Sequence, residues 1–181
     1  TGSDSATWID RVAVTACGHG GAIDIMPTGT VATVSAGAVL DLNGNAQNLS
    51  GLRGGGLVTN GTLTVRGVID PGATQVIGTL TVAAPAVLAG TLLVDVAVDG
   101  SGDLLKLQGN LDLTGLALQI RDKSQLQAKS QYVIASCAPG SLTGSFASTN
   151  LTAEEYWHVA YDNAKGEVRL ELRRGALFFL E

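Results

Sequence analysis

The chain has 181 residues, a net charge of −5 and an isoelectric point near 4.9, with no run of Lys or Arg. This excludes recognition of nucleic-acid backbones and of anionic membrane surfaces, both of which need clustered cations. Hydrophobic residues make up 45% but aromatics only 4%, so the interior must be filled by Val, Leu, Ile and Ala, which suit stacked strands.

From the N-terminus, "CGHGG" (Cys17 to Gly21) opens on a thiol and an imidazole two residues apart. It reads either as a nucleophile pair or half a metal site, or as a glycine corner with an exposed His and a packed Cys. The two cysteines, Cys17 and Cys137, have no Cys-x-x-Cys spacing, which gives neither a zinc nor a dithiol redox motif. A disulfide between them would have to span several coils of a repeat protein.

Period-two alternation then predicts strands at "AIDI" (22–25), "TVATV" (30–34), "AVLDL" (38–42), "TLTV" (62–65 and 79–82), "TLLVDV" (91–96), "NLDL" (110–113), "LALQI" (116–120) and "EVRLEL" (167–172). Glycine-centred turns separate them, and no window keeps a helical period. The expected fold is all-β. No apolar run approaches the roughly 20 residues that span a bilayer, so a membrane-spanning segment is not expected.

One phrase recurs: "NGTLTV" (Asn60 to Val65), "IGTLTV" (Ile77 to Val82) and "AGTLLV" (Ala89 to Val94). Of the strand-opening glycines, Gly21, Gly29 and Gly37 are evenly stepped, whereas the steps onward to Gly61, Gly78, Gly90 and Gly109 are longer and unequal. A fixed phrase with variable insertions is what a β-solenoid tolerates, because each coil packs only on its neighbours. In a parallel β-helix, Gly61, Gly78 and Gly90 would turn corners. Leu63/Val65, Leu80/Val82 and Leu92/Val94 would stack as inward ladders, with Thr62, Thr79 and Thr91 facing solvent.

The carboxylates Asp24, Asp41, Asp70, Asp95, Asp99, Asp103 and Asp112 offer acid–base pairs in principle. Asp41, Asp95 and Asp112 occupy the outward phase of their strands, which makes them solvent-face residues. "DGSGD" (Asp99 to Asp103) reads as a turn or as a loose Ca²⁺ loop. "EEYWHVAY" (Glu154 to Tyr161) gathers Tyr156, Trp157, His158 and Tyr161, either as a cap on the last coil or as a stacking surface for sugar rings. The apolar "ALFFLE" at the C-terminus carries no functional expectation.

The stretch from Gly29 to Val82, "GTVATVSAGAVLDLNGNAQNLSGLRGGGLVTNGTLTVRGVIDPGATQVIGTLTV", resembles the passenger-associated strand repeats of bacterial autotransporters. So do "AGTLLVDVAVDGSGDLLKLQGNLDLTGLALQI" (Ala89 to Ile120), "QYVIASCAPGSLTGSFAS" (Gln131 to Ser148) and the closing pattern Trp157, Val159, Tyr161, Val168, Leu170 and Leu172. The resemblance implies a single-stranded right-handed parallel β-helix that is secreted or held at the bacterial cell surface. Residues 1–28 would form an N-terminal coil, 29–148 the solenoid, and 149–181 the cap strands and tail. It implies a folding, stabilising and display role.

The expected function is therefore a structural module serving adhesion or binding of mucin-like glycans, with extracellular glycans or glycoproteins as partners. Tyr156, Trp157, His158 and Tyr161 are the candidate contact residues. No catalytic residue, metal or cofactor is assigned. A carboxylate-dependent hydrolase of mucin, polysaccharide or protein, and a ligand-free spacer, are the alternatives.

Overall fold

The computed structural model describes residues 11–13, 26–27, 29–128, 131–152 and 156–173. The strand expected over 22–25 lies outside them, as do Cys17, His19, Asp24 and the C-terminal apolar tail. Among the described residues the strands are β1 (Arg11–Ala13), β2 (Val31–Thr33), β3 (Val39–Gly54), β4 (Leu57–Pro71), β5 (Thr79–Val82), β6 (Ala86–Leu88), β7 (Gly90–Val94), β8 (Leu104–Leu107) and β9 (Leu111–Asp112). They continue with β10 (Leu116–Ile120), β11 (Tyr132–Ser136), β12 (Leu142–Thr143), β13 (Ser148–Thr149), β14 (Trp157–Asp162) and β15 (Glu167–Leu172). The only helical element among them is a short 3₁₀ turn at Lys123–Gln125, and no helix is long and apolar enough to cross a membrane.

The chain is all-β, as its alternation predicts, and the strands form a curled mixed sheet of thirteen with a second sheet of two. Three parallel ladders organise it. The first runs through 39–41, 57–59, β5, β8 and 135–136. The second joins 45–49, 61–65 and β6, with β9 and β12 paired separately. The third runs through β2, 51–54, 68–71, β7, β10 and β13. The long strands β3 and β4 cross all three, bending where their mutual register shifts at 41/45 and 49/51.

The ladder pairings account for the irregular glycine intervals. Val39 pairs with Leu57, Val58 with Val82, Val82 with Leu107 and Leu105 with Ala135, so the offset between partners lengthens with each pass along the ladder. Extra residues sit between ladders, including a hairpin closed by an antiparallel bridge from Val96 to Gly102. Pairing is preserved because only the strand segments need to match.

The three Gly-Thr-Leu phrases do not stack on one another, which corrects the expectation drawn from their likeness. "NGTLTV" lies on the second ladder, "IGTLTV" on the first and "AGTLLV" on the third. Leu63 therefore sits beside Gln47 and Ala86, Leu80 beside Leu105, and Leu92 between Ile69 and Leu118. Each phrase comes two ladders after the one before it. What the copies share is local: Leu63, Val65, Leu80, Val82, Leu92 and Val94 are all buried, while Thr62 and Thr79 are exposed and Thr91 is half-buried.

Their glycines are also explained differently from a uniform corner role. Gly61 has no positive φ; a Cβ there would lie 2.4 Å from the Asn45 carbonyl oxygen and 2.6 Å from the Leu42 Cβ. Close approach of the neighbouring strand, not turn geometry, demands it. Of the three phrase glycines Gly90 does have a positive φ (111°), and left-handed corners also fall on Asn43 (φ 50°) and Asn60 (φ 56°). Asn tolerates this region because its short side chain bonds locally, and Asn60 Nδ2 donates to Asp41 Oδ1 at 2.8 Å.

One continuous apolar core runs from Ala32 to Leu170. Replacing Leu92, fully buried between Ile69 and Leu118, by Ala is expected to cost about 2–5 kcal/mol. Denaturant unfolding with an unchanged m-value measures this.

At the C-terminal end the sheet stops being parallel. β15 pairs antiparallel with β11, and β14 antiparallel with β15. Along β14, Trp157 and Val159 pack with the core, as do Leu170 and Leu172 of β15. Trp157 packs on Tyr132 with ring centroids 5.9 Å apart. The other phase carries Arg169, bonded to Glu167 and Glu171 at 2.9 and 2.8 Å. An apolar inner face and a charged outer face allow this hairpin to close the end of the core while remaining wet outside.

Candidate functional site

The carboxylates divide into two kinds. Asp99, Asp112 and Asp122 each accept from both the backbone N–H and the hydroxyl of the Ser or Thr two residues on, at 2.6–3.0 Å. Asp41 accepts similarly from the N–H of Asn43. These are Asp-x-Ser/Thr/Asn turns, in which a short acid replaces a missing backbone partner. The hydroxyl and N–H of Ser101, the N–H and hydroxyl of Thr114, and the hydroxyl and N–H of Ser124 hold Asp99, Asp112 and Asp122 respectively below the usual carboxylate range. In "DGSGD", Asp99 is tied to Ser101 whereas Asp103 is buried and bonded elsewhere. The two acids thus serve different contacts rather than one ion loop.

The second kind meets where the third ladder passes to the first. Asp70 is the penultimate residue of β4, Asp95 follows β7, Arg121 follows β10, and Asp103 stands just before β8. Carboxylate oxygens of Asp70, Asp95 and Asp103 lie within 4.8 Å of one another. Arg121 donates from Nε to Asp95 Oδ1 at 2.7 Å and from Nη2 to Asp70 Oδ1 at 2.9 Å. The N–H of Gln75 donates to Asp95 Oδ2 at 2.7 Å. The third acid faces only backbone donors: Asp103 Oδ1 accepts from Gly78 N and Oδ2 from Asp95 N, both at 2.9 Å.

The strand phase of Asp95 is outward, but the residue is 6% exposed, so its assignment to a solvent face is corrected. Arg121 and the 72–78 segment close over it. Asp70 and Asp103 are buried as well, at 1% and 0%. Burial, then the adjacent Asp95 and Asp70 carboxylates, push Asp103 up to about 7 despite its two N–H bonds. For Arg121, burial opposes the charge, yet the bonds to Asp70 and Asp95 outweigh it and strengthen the hold on the proton.

Chemically, this arrangement ties three successive passages of the chain together. A glycosidase needs carboxylates about 5–9.5 Å apart on either side of a substrate, and these are tighter and covered, with Asp95 and Asp103 bonded to backbone N–H groups and Asp70 to Arg121. The guanidinium supplies the positive charge in the cluster. Sequence reasoning named each acid but not their meeting. The available signal was the recurrence of a charged residue just past an aliphatic strand at 70, 95 and 121, spaced close to the ladder offset.

Strand phase separates His158 from Trp157 and Tyr161, and packing separates the latter two. Trp157 is 7% exposed and packs inward, Tyr156 and Tyr161 are 50% and 40% exposed, and His158 takes the opposite phase of β14, in register with Glu171. Tyr161 stands 6.3 Å from the Phe146 ring, and its hydroxyl accepts from Phe146 N at 3.2 Å. The side chains open to a stacking ligand are thus Tyr156 and Tyr161. No family model matches the chain, and no curated protein matches it.

Proposed function

We propose that this chain is a right-handed parallel β-helix module of the autotransporter-passenger type, secreted or displayed at a bacterial surface, whose role is structural display with binding of extracellular glycans. The observation that carries this reading is the set of three parallel ladders sharing one aliphatic core, ended by an antiparallel hairpin. Such a body presents long polar flanks without needing a catalytic cleft. The described carboxylates of the turns and the buried corner are engaged in local structure, which favours display over hydrolysis. Tyr156 and Tyr161 are the proposed glycan contacts, because exposed phenol rings offer an apolar face with a polar edge.

The test is a mucin and glycan binding screen on the purified chain, run beside assays for polysaccharide and protein hydrolysis. Binding is expected to fall at least tenfold in Tyr156→Ala with the melting temperature unchanged. Trp157→Ala is expected instead to destabilise the cap by about 3–5 kcal/mol, so its loss of binding would not identify a contact. Sustained turnover abolished by a single Asp→Asn change would overturn the display reading in favour of a hydrolase. Failure to bind any glycan would favour a ligand-free spacer.

A further inference from the structure

The buried corner contains three acids and one bonded guanidinium. If Asp70, Asp95 and Asp103 were all ionised, the bonded Arg121 would offset only one of the three negative charges, with Asp103 fully buried. Buried charge without a counter-charge is expensive, and carboxyl groups at such sites take up a proton instead.

The surroundings offer limited further compensation. Arg53 is in register with Asp70 on the neighbouring strand, and its Nε is buried with no hydrogen-bond partner. From the hairpin, Asp99 is exposed and bonded to Ser101. From the segment after β10, Asp122 is bonded to Ser124 and Gln125, and Lys123 donates to the Asn150 carbonyl. Lys106 of β8 is exposed. On β11, the Tyr132 hydroxyl bonds to Gln127 N and to the carbonyls of Ala97 and Gln125. Residues 72–78 contain no ionisable side chain.

We propose that the corner is a proton-controlled latch: Asp103 carries a proton while the corner is closed, and loss of that proton favours release of the 72–78 segment and the 95–103 hairpin. The geometry makes these two segments respond together, because Asp103 accepts one N–H from each, Gly78 and Asp95. The Gln75 N–H bond to Asp95 adds a direct link between them. Opening would hydrate Asp103 and relieve its repulsion from Asp70 and Asp95.

The direction follows from proton linkage. Asp103 has an ordinary value of 3.8 and rises to about 7 in the closed corner. Below the lower value both closed and open forms hold the proton, and the contribution of Asp103 to closure is fully present. Between the two values only the closed form holds it, so closure weakens as pH rises; above the upper value the effect levels off. Acidification from neutrality therefore tightens the latch.

Amide hydrogen exchange on the full chain at pH 5, 6, 7 and 8, corrected for intrinsic rates, tests this. Opening of residues 72–78 and 95–103 is expected to increase by up to tenfold per pH unit from 5 to 7 and then level off. Amides of 61–65 on the second ladder should not follow this pattern. Asp103→Asn should abolish the dependence. Because its amide could strain the two N–H contacts, carboxyl-carbon NMR of the unmodified chain provides an independent reading, in which one carboxyl should titrate near neutrality. Absence of that titration, or pH-independent opening of the corner in the unmodified chain, would overturn the latch. So would the same dependence persisting in Asp103→Asn, or closure that depends on added Ca²⁺ instead of protons.

Discussion

Arg121→Met is expected to lower folding stability by about 3–5 kcal/mol, among the largest losses available from a single change in this protein. The guanidinium is bonded to two carboxylates on different passages of the chain, Asp70 and Asp95. Methionine retains much of the side-chain length but removes the charge and both donor contacts. Two nearly buried acids would then face each other and Asp103 with no bonded cation. Chemical denaturation at pH 7 measures the loss as a shift in midpoint at constant m-value. The combination Asp70→Asn, Asp95→Asn and Arg121→Met should recover at least half of it, since the mutual charge penalty is also removed. A loss below about 1 kcal/mol in the single variant would mean that the corner behaves as a surface ion pair.

Gly90→Ala is expected to cost about 3–5 kcal/mol, whereas Gly109→Ala should change stability by less than about 0.5 kcal/mol. Gly90 has φ +111°, and a Cβ there would stand 2.4 Å from the Gly67 carbonyl oxygen. An added methyl therefore meets both an unfavourable backbone region and a neighbouring strand that is fixed in its ladder. Gly109 has neither constraint, with nothing within 4 Å of its added Cβ. Thermal melts of the two variants side by side measure the contrast. Equal, small effects would show that the phrase "AGTLLV" tolerates a side chain at its opening residue and that the strand approach is softer than its geometry indicates.

These two changes touch features that differ in how they are encoded. Gly90 is visible in the sequence as the opening of a recurring phrase, although the phrase does not say why glycine is needed. Near-identical text at 61, 78 and 90 lies on three different ladders, and the nearest atoms differ at each. Arg121 has no motif around it. It becomes important because the chain returns past Asp70 and Asp95 at the near-equal steps of 25 and 26 residues, and the register between those passages brings the guanidinium onto both carboxylates.

The aromatic group near the C-terminus was legible as a cluster and as an end feature. Its division was not, because Trp157 and Tyr161 lie on the same side of β14, four residues apart, and differ in what packs against each. Trp157 is buried against Tyr132, whereas Tyr161, beside Phe146, stays exposed. The Asp-x-Ser/Thr turns at 99, 112 and 122 are local enough to be read from spacing alone, since donor and acceptor are only two residues apart.

Taken by itself, the sequence determined the all-β class, the inward phase of Leu and Val in each repeated phrase, and the positions of several turns. These depend on alternation and on contacts between residues close in the chain, which order along the chain encodes directly. The tertiary structure alone decided which phrases become neighbours, which acids are buried, and that Asp70, Asp95, Asp103 and Arg121 form one corner. Those outcomes depend on the register between passages far apart in the chain and unequally offset, where a small change in insertion length alters every cross-strand partner.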